Sequence, residues 1–165
     1  IEYLIKNNFE VTLRPHPEHY KRSPGVIKKI ISIFSNNNNF YLDKKFSNQD
    51  SMEKSNLLIT DNSSIDMEYV LVFKKPLIYL DYTPKIHNNE HKVFRSEDID
   101  VEFKRIFGNS LKVEKLDKLT ELINKLTNEE EKTTAVENFK KKYLSNIGSS
   151  SKFASEYIVS SILNE

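Results

Sequence analysis

The sequence predicts an α/β fold in which a Rossmann-like parallel sheet is flanked by helices, with extra helices at the C-terminal end. The stretch Asn56–Asp81 reads as strand, polar loop, helix, turn and strand, which is a βαβ unit. Two earlier β-type runs, Phe9–Leu13 and Phe40–Leu42, alternate with a helical pattern. This alternation favours a mainly parallel sheet that helices cover on both faces.

The composition is typical of a soluble, cytoplasmic globular protein. At 165 residues the chain is long enough for a single domain with a sizeable core. A net charge of +1 gives no global field that would attract nucleic acid, and the lack of cysteine excludes disulfides and thiolate chemistry. No apolar run approaches the roughly 20 residues that span a bilayer. Because the chain opens at Ile1 with an amphipathic fragment, we expect residues 1–165 to be one domain cut from a longer polypeptide.

The first strand is predicted to lead into a stiff turn. A helical pattern over Ile1–Asn8 precedes the strand Phe9–Leu13, which runs directly into the RPHP motif. The two prolines of this motif end both helix formation and the hydrogen bonding of the strand to its neighbours. Arg14 and His16 are therefore presented at the carboxyl end of the strand. Glu18–Gly25 is then predicted to be a polar loop.

The next segments lead to the central unit. A helix is predicted from Pro24 to about Ser35, a turn over Asn36–Asn39 and a strand over Phe40–Leu42. Lys44–Lys54 is a polar connection with one helical turn near Asp50–Glu53.

The central loop between Leu57–Ile59 and the following helix is the predicted ligand site. Ser63 and Ser64 stand where that helix starts, and free N–H groups and the positive end of the helix dipole make such a place an anion site. A serine there is also a normal N-cap, so capping alone and capping combined with phosphate binding both stay open. Glu68 lies about one turn along the same helix, where a carboxylate can accept hydrogen bonds from sugar hydroxyls.

The part of the chain after the strand Leu77–Leu80 is predicted to be mostly helical. The loop Tyr82–Asn88 comes first. Helices are predicted over Glu97–Phe107, Val113–Leu126, Glu129–Lys142 and Lys152–Leu163. The third of these is strongly charged, which indicates a solvated face.

Glycine-rich phosphate loops are missing from the sequence. The chain has three glycines, and neither the GxGxxG nor the GxxxxGK[ST] fingerprint occurs. A bound nucleotide must therefore be held by other groups.

Two motifs together carry a resemblance to a known family. RPHP at Arg14–Pro17 is followed by LLITDNSSIDMEY at Leu57–Tyr69 and then by KPLIYLD. This pair resembles the CDP-glycerol glycerophosphotransferases, which include the teichoic-acid polymerases and primases. The resemblance implies a two-domain GT-B fold, of which this chain is the C-terminal, nucleotide-binding half.

The resemblance also implies roles for individual residues. His16 matches the histidine associated with the donor phosphates and catalysis, and Arg14 holds the basic position before it. Ser63 and Ser64 match the serine pair beside the donor phosphates, and Asp61 matches the acidic residue after LIT.

Several positions depart from the family pattern. Glu68 stands where the family usually has Asp and is expected to hold ribose hydroxyls. Asn62 replaces a frequent Tyr but belongs to the same donor-binding segment. Lys85, in the following loop, is expected to neutralise a donor phosphate.

The implied function is transfer of glycerol phosphate from CDP-glycerol to a hydroxyl of a cell-surface polymer or lipid-linked acceptor. The expected partners are that donor, that acceptor and an absent N-terminal acceptor domain, without which the fragment should bind nucleotide but turn over little. Lipid-linked acceptors imply that the whole protein works at the inner face of the membrane.

Two alternatives remain open. CMP- and UDP-sugar glycosyltransferases of capsule synthesis share parts of the site, so the donor could be a nucleotide sugar. A degenerate domain that binds a nucleotide or a partner without turnover is the other reading. We expect neither a cofactor nor a metal ion, because Asn88 and Asn89 disfavour the helix that would align His87 with His91.

Overall fold

A computed structural model describes residues 1–61, 64–80, 99–129 and 133–163. It confirms the predicted fold class, because parallel strands alternate with helices that flank them.

The elements of the first half build one strand pair. In chain order they are α1 (Glu2–Lys6), β1 (Val11–Leu13), α2 (Pro17–Arg22), α3 (Pro24–Phe34), β2 (Phe40–Leu42) and α4 (Gln49–Lys54). β1 and β2 pair in parallel, with Val11 opposite Phe40 and Leu13 opposite Leu42.

The second half builds a three-stranded sheet. Its elements are β3 (Leu58–Thr60), α5 (Ile65–Phe73), β4 (Leu77–Leu80), α6 (Ile99–Phe107), β5 (Ser110–Leu111), a 3₁₀ helix (Val113–Lys118), α7 (Leu119–Asn128), α8 (Thr133–Tyr143) and α9 (Ser150–Leu163). β4 lies in the middle and pairs in parallel with β3 and β5.

Helices cover both faces of the three-stranded sheet. One core contains Leu77 and Tyr79 of β4 together with side chains of α5, α6 and α8. The other contains Ile78 of β4 with side chains of α7, and residues of α1 pack against it. Successive strand residues point to opposite faces, so β4 is apolar along its whole length because both faces are buried.

The strands form two separate parallel sheets rather than one continuous sheet in the described residues. The alternation of strands and helices predicts parallel pairing, but it does not fix which strands become neighbours. β5 was not predicted, because a two-residue strand has too few side chains to show a period.

Two local predictions are wrong. Glu18–Gly25 was expected to be a loop, but α2 occupies Pro17–Arg22, with proline at its first position and Glu18 paired with Lys21 and Arg22. The expected helix Val113–Leu126 is instead a 3₁₀ helix that is followed by α7, with Lys115 outside helical geometry.

The described helices include none that is both long and apolar enough to cross a membrane.

Candidate functional site

A cleft of about 2190 Å³ is lined by parts of both sheets and of several helices, among them the carboxyl ends of β1 and β3 and the start of α5. Its walls include five residues predicted as site residues, namely Arg14, His16, Asp61, Ser64 and Glu68. Asn62, Ser63 and Lys85 were also predicted as site residues and lie outside the described ranges. The first five therefore line the same cleft, together with many other residues of both sheets.

His16 is exposed and occupies the N-cap of α2. Its Nδ1 accepts a hydrogen bond from the backbone N–H of Glu18, with 3.2 Å between the two nitrogens. An accepting Nδ1 carries no proton, so the neutral ring carries its proton on Nε2. The backbone therefore fixes both the tautomer and the direction of the imidazole.

Arg14 is bound to the loop that follows β2. Its Nη1 lies 2.6 Å from Asp43 Oδ2, and its guanidinium also donates to the backbone carbonyls of Lys45, Phe46 and Ser47. The fork of donors on a guanidinium suits such a multiple contact. In this structure Arg14 therefore holds the backbone of that loop.

Asp43 is the anionic partner in this loop, with a side chain only 10% exposed. Burial raises the pKa of its carboxyl, but hydrogen bonds from the Lys45 amide, the Ser51 hydroxyl and Arg14 outweigh burial and hold the pKa below its ordinary value. Asp43 is therefore ionised at neutral pH and neutralises Arg14.

Ser64 stands at the N-cap of α5 and is exposed. Within the described part of the chain, its side chain makes no capping hydrogen bond to the helix. The Ser64 hydroxyl is thus not used as a cap, whereas the Met67 N–H in the first turn of α5 is already bonded to Asp66 Oδ1.

Glu68 is exposed on the same helix and accepts a hydrogen bond from the side-chain amide of Asn48, with 3.3 Å between Nδ2 and Oε2. Asn48 directly precedes α4 and belongs to the loop held by Arg14. This contact links the carboxylate on α5 to the segment that follows β2.

Sequence reasoning missed the buried carboxyl of Asp66, which has 0% exposure in the first turn of α5. Its Oδ2 accepts a 2.6 Å hydrogen bond from the Tyr79 hydroxyl, and its Oδ1 accepts from the N–H of Met67. Burial raises the pKa of Asp66, although both hydrogen bonds act in the opposite direction. Helical spacing from Tyr69 and Val70, which are apolar positions of α5, was the signal that could have placed Asp66 on the buried face.

Metal ligands do not converge in the described residues, since no group of three or more His, Asp or Glu side chains is placed to hold an ion.

Comparison with known proteins assigns the chain to a family. A model of the CDP-glycerol:poly(glycerophosphate) glycerophosphotransferases matches residues 1–164. The chain belongs to this family. The matched range extends from α1 through the C-terminal helices and includes every residue that lines the cleft.

One curated relative matches this glycerophosphotransferase-family chain over part of its length. The minor teichoic acid biosynthesis protein GgaB of Bacillus subtilis (strain 168) is 31% identical over 87 residues, which are 53% of this chain and 9% of that protein. The chain thus corresponds to a small part of that relative. No solved structure shows significant similarity to the chain.

Proposed function

We propose that this chain forms the donor-binding part of a transferase that moves glycerol phosphate from CDP-glycerol to a hydroxyl of a teichoic-acid-type polymer or its lipid-linked precursor. The family match over residues 1–164 is the observation that carries the proposal. The relative GgaB is a minor teichoic acid biosynthesis protein, which supports the choice of polymer. The rest of a GT-B enzyme supplies the acceptor site in this proposal.

The reaction is an attack of the acceptor hydroxyl on the β-phosphorus of CDP-glycerol. A new oxygen–phosphorus bond forms, the bond from the β-phosphorus to the bridging oxygen breaks, and CMP leaves with the pair of electrons. The acceptor hydroxyl gives up its proton, and the product is a phosphodiester. Negative charge grows on CMP, so the enzyme must supply positive or hydrogen-bonding groups there.

The start of α5 supplies these groups in the proposal. The hydroxyl of Ser64, the N–H groups of the first turn other than that of Met67, and the positive end of the helix dipole bind the diphosphate. Asp61 and Glu68 face the same cleft, and Glu68 accepts hydrogen bonds from the ribose hydroxyls in exchange for the Asn48 amide. Asn62, Ser63 and Lys85 complete the donor site in this proposal.

His16 exchanges protons in this scheme. Since Nδ1 accepts from the Glu18 N–H, the neutral ring carries its proton on Nε2, which can donate it to a phosphate oxygen of the donor as a general acid does. For the ring to take the acceptor proton instead, the Glu18 contact must break and the proton must move from Nε2 to Nδ1. Arg14 supports the site through the loop after β2, and direct contact of Arg14 with a phosphate stays a prediction.

The test is a competition between donors. We expect calorimetry to show tighter binding of CDP-glycerol than of CMP-sialate or UDP-GlcNAc, and glycerol phosphate transfer when acceptor is added. Tighter binding of either nucleotide sugar would overturn the glycerol phosphate assignment. Binding of CDP-glycerol without turnover in the full-length protein would instead favour a non-catalytic nucleotide-binding domain.

A further inference from the structure

The loop from Asp43 to Asn48 carries a side chain that the proposed function does not use. Phe46 lies in this loop and is fully exposed to solvent. An exposed phenylalanine is by itself ordinary, because single apolar side chains are scattered over most protein surfaces. The backbone that carries this one is held by side-chain hydrogen bonds.

Several hydrogen bonds fix the backbone on both sides of Phe46. Arg14 donates to the carbonyl of Phe46 and to the carbonyls of both neighbours, Lys45 and Ser47. The Asp43 carboxylate accepts from the N–H of Lys45, and the Ser47 hydroxyl accepts from the N–H of Gln49. The ring is thus presented on a rigid support, so little conformational freedom is lost when a flat ligand covers it.

The loop also lies beside the position proposed for the ribose. Lys45 and Asn48, on either side of Phe46, line the cleft, and the Asn48 amide contacts Glu68, whereas the Phe46 ring stands in solvent outside the cleft lining. Two residues of extended chain span about 7 Å at most, so the backbone of Phe46 lies within that distance of Asn48. The base of a nucleotide is bonded directly to its ribose and therefore falls next to this loop.

We infer that Phe46 is the platform on which the pyrimidine base of the donor nucleotide stacks. Every base has a flat π-face that can stack on an aromatic ring, and such contacts contribute strongly to nucleotide binding. The inference rests on the proposed function, because it places the base relative to the ribose that Glu68 is proposed to hold.

A single tryptophan can report this contact, because the natural chain has none. In Phe46→Trp, CMP is expected to quench the indole fluorescence, whereas ribose 5-phosphate, which lacks the base, is not. The matched control is Tyr157→Trp on α9, at another exposed aromatic position, whose fluorescence should respond to neither. If the free Phe46→Trp protein, without nucleotide, already emits like a buried indole, the inference is overturned.

Affinities provide the second measurement. Phe46→Ala should weaken CMP binding about tenfold, a typical effect for loss of one base stack. It should leave ribose 5-phosphate binding and the circular dichroism spectrum unchanged, since an exposed ring leaves no cavity. Phe46→Tyr should restore CMP affinity.

The two proposals fail in different ways. Equal CMP affinity in wild type and Phe46→Ala would overturn the stacking platform and leave the transferase proposal intact. If UMP and CMP bind equally well and Phe46→Ala weakens both, the stacking platform is supported but the preference for a cytidine donor is removed. A wild-type protein that binds no nucleotide at all would overturn both.

Discussion

At His16, the two ring nitrogens are in different situations. Nδ1 caps α2, while the exposed ring is presented at the cleft. The structural and chemical tasks of this residue can therefore be separated by mutation.

We expect His16→Asn to lower kcat by roughly 10²- to 10⁴-fold, the usual contribution of a general acid or base. Asparagine is a good N-cap, so α2 and the thermal stability should be retained. CMP release in the presence of acceptor measures the effect, and His19→Asn on the same helix is the control. Wild-type turnover in His16→Asn would remove the catalytic role.

Ser64 is expected to matter for donor binding rather than for folding. Because its side chain makes no cap bond to α5 in the described structure, Ser64→Ala should change the free energy of unfolding by less than the ~1 kcal/mol that loss of a cap costs. Loss of a hydrogen bond to a charged phosphate should weaken CDP-glycerol binding about tenfold or more. Calorimetry measures the affinity for CDP-glycerol and thermal denaturation measures the stability, with Ser160→Ala on α9 as the control for both. The opposite pattern, lower stability with unchanged affinity, would make Ser64 a simple cap.

Asp66 makes the stability depend on pH. Burial raises the pKa of Asp66 in the folded protein, so folding favours the protonated carboxyl. The protonated carboxyl therefore contributes to the free energy of unfolding at low pH, and that contribution is lost as the pH rises through the pKa of the folded state. The groups that face it are the Tyr79 hydroxyl, the Met67 N–H and the charges of Lys104 and Asp100.

In Asp66→Asn, the Tyr79 hydroxyl can turn to accept from the new amide, so the cavity stays filled. We expect the free energy of unfolding of this variant, relative to wild type, to increase from mildly acidic to neutral pH. Urea unfolding at several pH values measures it. Asp61→Asn, at an exposed position, is the control. Parallel pH profiles for wild type and Asp66→Asn would contradict the assignment.

At the scale of elements, local sequence was a good guide to helices and strands but a poor guide to their ends. The predicted strands Phe9–Leu13 and Leu57–Ile59 correspond to β1 and β3 within two residues. α2 was missed because six residues are too few to show a helical pattern of apolar side chains. Proline at its first position and Glu18 ahead of two basic residues are signs of a helix start, but they also fit a polar loop.

The junction between α6 and β5 depends on glycine. A Cβ on Gly108 would contact the Lys104 carbonyl oxygen and lie 2.9 Å from Cε2 of the buried Tyr79 ring. We expect Gly108→Ala to lower the free energy of unfolding by about 1–3 kcal/mol, as overpacking does.

Gly25→Ala is the matched control for Gly108→Ala. A Cβ there meets open space within α3, so this variant should be neutral or more stable by up to about 1 kcal/mol. Thermal denaturation compares the two, and equal melting temperatures would contradict the predicted crowding.

At the scale of the whole molecule, the cleft is lined by both sheets. A donor bound at the proposed site contacts the loop after β2 on one side and the start of α5 on the other. Binding should therefore stabilise both halves together.

CDP-glycerol at a hundred times its Kd should raise the free energy of unfolding by about 2.7 kcal/mol, if the unfolded chain does not bind it. Hydrogen exchange should slow both in residues 43–48 and at the start of α5. Glycerol 3-phosphate, which lacks the nucleotide, is the control and should have little effect. Protection confined to one sheet would contradict a donor that spans the cleft.

The sequence by itself determined the parallel α/β class, the covering of the sheet by helices on both faces and the position of His16 and Ser64 after the carboxyl ends of strands. These features follow from periodicity and from proline and serine chemistry, which act between near neighbours in the chain. Only the tertiary structure decided that the strands form two sheets, that Arg14 holds the loop after β2 and that the Tyr79 hydroxyl is the partner of the Asp66 carboxyl. Each of these depends on residues 13 or more positions apart in the chain, and local patterns carry no information about such contacts.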